Sequence, residues 1–283
     1  MDFEAISAFC FMPLLMVIAA QGWAWMACVF ICFPIFFALY QYKLPSKMRT
    51  RFFVSWSIVS FFFLLAVFEL EVVPYLEILF IENFILMVFV AVMCLCIYFA
   101  KHRVQESYIL AHSTEKASNK ADQSTRTRCE LCSVMQPPRT YHCDICGYCV
   151  YQQDHHNVWL DICIGAPNKK YFLGAIIMLL CACFFSSNLT LTTICHPTLM
   201  GNLLLMPDDC SDVFGDIHIA ICFVSAIYTL IIATLAIYLL CQQIWLITHN
   251  TTYHEWKQGL LGLHSNGILG NWVDFCRGFP KRN

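Results

Sequence analysis

Unbroken apolar stretches alternate with short polar ones along most of this chain. Ala5–Tyr40 is apolar almost throughout. One helix over it would be about 54 Å long, against a hydrocarbon core of about 30 Å. A tight hairpin near Gln21-Gly22 with two short spans fits better; one tilted span plus an interfacial segment is the alternative. Pro13 and Pro34 kink such helices without forbidding them. Gln41–Arg51 carries Lys43, Lys47, Arg49 and Arg51, and a loop so basic between spans reads as cytosolic. Phe52–Phe68 is the next predicted span. Glu69, Glu71, Glu77 and Glu82 then mark an acidic turn on the far side. Asn83–Ala100 returns the chain, anchored in the cytosol by Lys101-His102-Arg103.

The pattern changes at Gln105–Arg128, which is polar and reads as a linker. A Cys/His-rich stretch follows, on the cytosolic side by this topology. Tyr171–Thr193 is a span. Ile194–Asp216, with Pro197 and Pro207, is a lumenal loop. Ile217–Leu246 is long enough for a tilted span. The expected architecture is an all-α polytopic membrane protein with five or six transmembrane helices. Residues 1–104 hold the N-terminal spans, 105–126 the linker and 127–170 a cytosolic Cys-rich domain. Residues 171–247 hold the C-terminal spans with the lumenal loop 194–216, and 248–283 form a cytosolic tail. Six spans put the N-terminus in the cytosol.

Composition agrees with this class. The chain is 59% hydrophobic and 13% charged, where soluble domains carry ~25% charge. A net charge of −2 offers no nucleic-acid partner. The first apolar run lacks a basic leader and outruns an h-region, so no cleavable signal peptide is expected. The sequons at Asn188 and Asn250 fall in a span and on the cytosolic side, so neither is expected to carry glycan.

The 18 cysteines divide in two. Most lie in apolar runs, where a free cysteine behaves as a small hydrophobe. Cys195 and Cys210 share the predicted lumenal loop and could pair there. The remainder sit in C-E-L-C, then H-C-D-I-C-G-Y-C, then D-H-H-N, and Cys163. Cys129, Cys132, Cys143, Cys146, Cys149 and Cys163, with His142 and His156, are enough for two tetrahedral zinc sites; His155 is left over. The stretch has almost no apolar core, so metal must supply its folding energy. Spacing alone does not say which residue meets which ion.

These residues resemble the Cys-rich domain of the DHHC protein S-acyltransferases, or palmitoyltransferases. Cys129, Cys132, Pro137, Arg139, His142, Cys143, Cys146, Cys149, Asp154, His155, His156, Trp159, Cys163, Gly165, Asn168 and Phe172 carry the match. The resemblance implies one zinc on Cys129, Cys132, His142 and Cys149, and a second on Cys143, Cys146, His156 and Cys163. It implies two-step transfer of palmitoyl from palmitoyl-CoA, through a cysteine thioester, to cysteines of membrane-associated proteins. His155 would be the base and Asp154 its orienter, the logic of a triad. Family habit favours the endoplasmic reticulum or Golgi.

The nucleophile's position, however, is Asn157. A carboxamide has no thiolate to offer, and Cys163 is committed if it binds zinc. Val158 replaces the usual proline, no Asp-Pro-Gly follows Ala100, and Thr251-Thr252-Tyr253-His254-Glu255 has one residue too many for the family's Thr-Thr-x-Glu. The covalent route is therefore expected to be impaired. The alternative is a catalytically inactive, acyltransferase-like membrane scaffold that binds substrates or active relatives. A zinc-bearing ubiquitin ligase leaves D-H-H unexplained. Asp154-His155 reads either as a dyad or as a brace for the zinc loop. Arg139 reads as a loop brace before a CoA-phosphate ligand, and Lys169 and Lys170 as headgroup contacts before CoA ligands. Trp159 reads as an interfacial aromatic or as a neighbour of the acyl thioester.

Overall fold

The computed structural model describes residues 3–43, 50–112, 127–200 and 204–277. Its chain order is helical except at two places. The helices are α1 (Phe3–Ala19), α2 (Trp23–Lys43), α3 (Phe52–Val67), the short α4 (Val73–Tyr75), α5 (Phe80–His112), α6 (Lys169–Ile194), α7 (Ile217–Thr248), α8 (Tyr253–Lys257) and α9 (Ile268–Arg277). Strands β1 (Thr127–Arg128), β2 (Met135–Gln136), β3 (Thr140–Cys143), β4 (Tyr148–Tyr151), β5 (His155–Asn157) and β6 (Ile162–Ile164) fill the Cys-rich stretch, and β7 (His196–Met200) and β8 (Leu204–Asp209) follow α6. Four helical segments are long and apolar enough to cross a membrane: Phe52–Tyr75, Phe80–Val104, Lys169–Ile194 and Ile217–Thr248. Two shorter apolar helices, α1 and α2, precede them.

The chain divides into two compact units, Met1–Ala91 with Met178–Ile237, and Val92–Ile177 with Tyr238–Asn283. In the first, α1 and α2 are separated at Gln21-Gly22, where Gly22 has φ +151. That conformation suits a residue without Cβ. Glu69 and Glu71 do not begin a turn, as the charge pattern suggested. They sit in one π-helical turn, Phe68–Val72, that continues α3 toward α4. Glu69 accepts from Asn83 Nδ2 at 3.1 Å, and Glu71 meets His218 Nδ1 at 2.8 Å. Partners of this kind let carboxylates lie within a helix. Tyr228 in α7 is likewise paired: its Oη accepts from Trp56 Nε1 at 3.0 Å and lies 2.9 Å from Ser60 Oγ. The loop after α6 is a β7–β8 hairpin with Pro197 opposite Pro207, and Cys195 and Cys210 are joined by a disulfide.

In the second unit, three antiparallel ladders (β1–β2, β3–β4, β5–β6) form the Cys-rich module. None has the strand count or apolar face for independent stability. α5 continues as helix to His112, into the segment read as linker; residues 113–126 lie outside the described residues. The tail is also ordered through α8 and α9, elements that hydropathy reading passed over.

Candidate functional site

The candidate metal ligands are placed by strand alternation. Successive side chains on a strand point to opposite faces, so His142 and Cys143, neighbours on β3, are delivered to different clusters. Across the β3–β4 ladder His142 pairs with Cys149, and across β5–β6 His156 pairs with Cys163. Cys129 and Cys132 come from the turn after β1, Cys143 and Cys146 from the end and turn of the β3–β4 hairpin. The result is two groups, Cys129/Cys132/His142/Cys149 and Cys143/Cys146/His156/Cys163, with ligand atoms all within 4.8 Å of one another.

The spacing suits zinc. Bonds of about 2.3 Å to sulfur and about 2.0 Å to nitrogen at the tetrahedral angle close an S···N edge of about 3.6 Å. In the first group His142 Nδ1 lies 3.8, 3.2 and 3.8 Å from the sulfurs of Cys129, Cys132 and Cys149. In the second His156 Nδ1 lies 3.9, 3.3 and 3.6 Å from those of Cys143, Cys146 and Cys163. Outer groups orient the ligands, as metal sites require. Gln136 Nε2 donates to Cys149 Sγ at 2.7 Å, and Asp161 Oδ1 stands 3.6 Å from His156 Nε2.

Asp154 and His155 stand beside the second cluster. Asp154 Oδ2 accepts from His155 Nδ1 at 2.8 Å and from Gln243 Nε2 at 3.0 Å. Its Oδ1 accepts from Lys169 Nζ at 2.9 Å and from the backbone N–H of Tyr253 at 3.0 Å. Burial alone would push this carboxyl upward, but the Lys169 charge and the His155 bond hold it well below the usual carboxylate range. Lys169 is therefore not a headgroup contact, as its position suggested; its side chain is largely buried on Asp154. Lys170 remains exposed, with its ammonium 5.2 Å from the Tyr171 ring centroid. With Nδ1 given to Asp154, His155 has Nε2 free among the described residues, and its ring meets Phe172 edge-on at 5.6 Å. A His–Asp pair so held is fit to take a proton from a bound thiol or water.

Among the described residues, the Asn157 side chain bonds only to nearby backbone. Its Oδ1 accepts from the backbone N–H groups of Trp159 and Leu160, both at 3.0 Å. Asn157 thus closes a turn. Trp159 itself is partly exposed, at the edge of that turn.

Arg139 settles into the brace reading. Its Nε and Nη2 form a fork on the Glu255 carboxylate at 2.6 and 2.7 Å, and Nη2 and Nη1 reach Asn250 O and Oδ1 at 3.0 and 3.2 Å. Burial raises the Glu255 carboxyl, and the Arg139 fork more than offsets it, leaving the group below its ordinary value. Glu255 is also the far half of a capping box: Thr252 Oγ1 accepts from Glu255 N at 3.2 Å and Glu255 Oε2 from Thr252 N at 2.8 Å. The signal Thr-x-x-Glu was present in the sequence; its link to Arg139 was not. Asn168 is fully engaged, donating to Ala100 O and Cys163 O and accepting from Gly165 N. It ties α5 and β6 to the start of α6.

The DHHC palmitoyltransferase family model matches residues 122–259. The chain is 30% identical over 171 residues to the palmitoyltransferase ZDHHC23-A of Danio rerio, covering 55% of this chain and 42% of that protein. It is 33% identical over 132 residues to the Homo sapiens palmitoyltransferase ZDHHC23, covering 47% and 32%. With the probable protein S-acyltransferase 16 of Arabidopsis thaliana it shares 32% over 133 residues, 47% and 43% of the two chains. The chain thus spans less than half the length of these curated relatives.

Proposed function

We propose, for a chain that belongs to the DHHC palmitoyltransferase family, that it transfers fatty acyl groups, palmitoyl in the first place, from acyl-CoA to cysteines of membrane-associated proteins, without a thioester at position 157. One observation carries this reading. Asp154 is fixed by four hydrogen bonds and holds His155 by Nδ1, so the base and its orienter are built in full. Two structural zinc ions, on Cys129/Cys132/His142/Cys149 and Cys143/Cys146/His156/Cys163, hold this dyad in place. The thiols of the module belong in a reducing compartment and the Cys195–Cys210 bridge in an oxidising one. That supports a cytosolic module and a lumenal hairpin in an endomembrane such as the endoplasmic reticulum or Golgi.

A second reading rests on Asn157: its Oδ1 is spent on two backbone donors, which suits an inactive scaffold that binds acyl-CoA, substrates or active relatives. Incubation of the purified protein with labelled palmitoyl-CoA, with and without a thiol acceptor, separates the two. Transfer to the acceptor with no hydroxylamine-labile label on the chain supports the first; no transfer at all supports the second. Asn157→Cys is expected to gain a labile label in the Cys-rich module, because base and orienter already await a thiol.

A further inference from the structure

Asn157 has a second end. An amide's oxygen and nitrogen are told apart by their partners, and here the assignment is unambiguous. The atom facing Trp159 and Leu160 meets two N–H donors, so it is Oδ1, and Nδ2 must point away. Nδ2 has no partner among the described residues, yet it is not one of the polar atoms buried without a partner. It therefore keeps some open surface on a side chain that is otherwise buried and doubly fixed.

Strand geometry says where that donor faces. His155 and Asn157 are the first and third residues of β5 and share one face. His156, between them, goes to the opposite face, toward Cys163 and the second metal group. Two residues apart on a strand is about 6.6 Å. That is room for one thioester group between an imidazole nitrogen and an amide N–H.

From this juxtaposition we infer that Asn157 is itself a catalytic residue. Its Nδ2–H donates to the carbonyl oxygen of the acyl thioester, at the place where relatives carry the nucleophile. The inference rests on the acyl-CoA reading above. The step runs as a direct transfer. The acceptor thiol gives its proton to His155 Nε2, and its sulfur electron pair forms the new bond to the thioester carbon. The carbonyl π pair moves onto oxygen, where Asn157 Nδ2–H meets it. When that pair returns, the carbon–sulfur bond to CoA breaks, the CoA sulfur leaves with the bonding pair and takes the proton back from His155. The products are the acylated acceptor and free CoA. A side-chain amide aimed at a developing oxyanion is an effective donor because it needs no reorganisation at the moment of reaction.

The test is isotope-edited infrared spectroscopy of palmitoyl-CoA, 13C-labelled at the thioester carbonyl and bound to the full chain in lipid nanodiscs. Asn157→Asp keeps an oxygen for both backbone N–H groups and loses the donor; Asn157→Ala loses both functions. Zinc content checks that each variant is folded. The expected result is a carbonyl band at lower wavenumber in the native chain that moves back in both variants. Transfer to a thiol acceptor should fall about 10²–10³-fold in Asn157→Asp. A bound band that is unshifted, or a shift that survives Asn157→Asp, overturns the inference while leaving acyl-CoA binding intact. No bound band in the native chain overturns the acyl-CoA reading, and the inference falls with it. The band reports the donor even where turnover with the acceptor is absent.

Discussion

The Cys-rich module and the β7–β8 hairpin face the same difficulty and meet it by different chemistry. Each is a set of short strands flanking an apolar helix, and a two-stranded ladder is marginally stable alone. In the module, cysteines with two histidines gather in groups fit for metal. In the hairpin, Cys195 and Cys210 bond to each other. A disulfide constrains mainly the unfolded chain, while metal ligation contributes folding free energy outright. The module, which carries Asp154 and His155, thus uses the stronger device.

Metal removal is the severest test of that contrast. Dialysis against a chelator is expected to abolish amide-exchange protection throughout residues 127–168, since structural zinc contributes about 10–16 kcal/mol in small metal domains. Protection in α6 and α7 should persist. If the module stays protected without zinc, the account of its stability is wrong.

Next in size is the Arg139–Glu255 fork. Arg139→Met leaves a buried carboxylate without its partner and should cost about 3–5 kcal/mol, read as a fall in the thermal midpoint with zinc still bound. The pH dependence has a definite sign. Glu255 is held below its ordinary value, so its contribution is complete above the unfolded pKa of about 4.3. It is lost as pH falls through the depressed folded value. Glu255→Gln should therefore flatten the acid side of the stability curve.

The smallest effect belongs to the hairpin. Its cysteines are 15 residues apart, for which loop closure is worth about 3 kcal/mol at most in the chain-entropy description. Cys195→Ser with Cys210→Ser should loosen exchange in 196–209 and leave zinc content unchanged. Zinc loss in that double variant would mean the two regions are not separately stabilised.

What the sequence made legible follows from where the partners lie. The metal-fit residues fall within one short stretch and of types with few other uses, so they could be picked out at once. Their division between two groups is written in strand alternation, which needs the β3 register before His142 and Cys143 part company. Partners distant in sequence were invisible: Gln243 on α7 and Tyr253 on α8 both hold Asp154, and Glu255 holds Arg139. Lys169 was misjudged because a lysine at the edge of a span ordinarily meets lipid headgroups; a buried carboxylate claims it instead. Glu69 and Glu71 were misjudged because charge marks a span's end only when no partner waits inside it. The ordered tail was missed because hydropathy does not register a capping box or a short amphipathic helix.

One strand residue pair has a larger consequence than its size suggests. His142 and Cys143 are joined by a single peptide bond, and each looks toward a different metal group. The backbone between them is a shared wall, so an ion withdrawn from one group is expected to disturb a ligand of the other. Loading of the two groups should then be coupled, and zinc titrated into the stripped chain should show few molecules carrying a single ion.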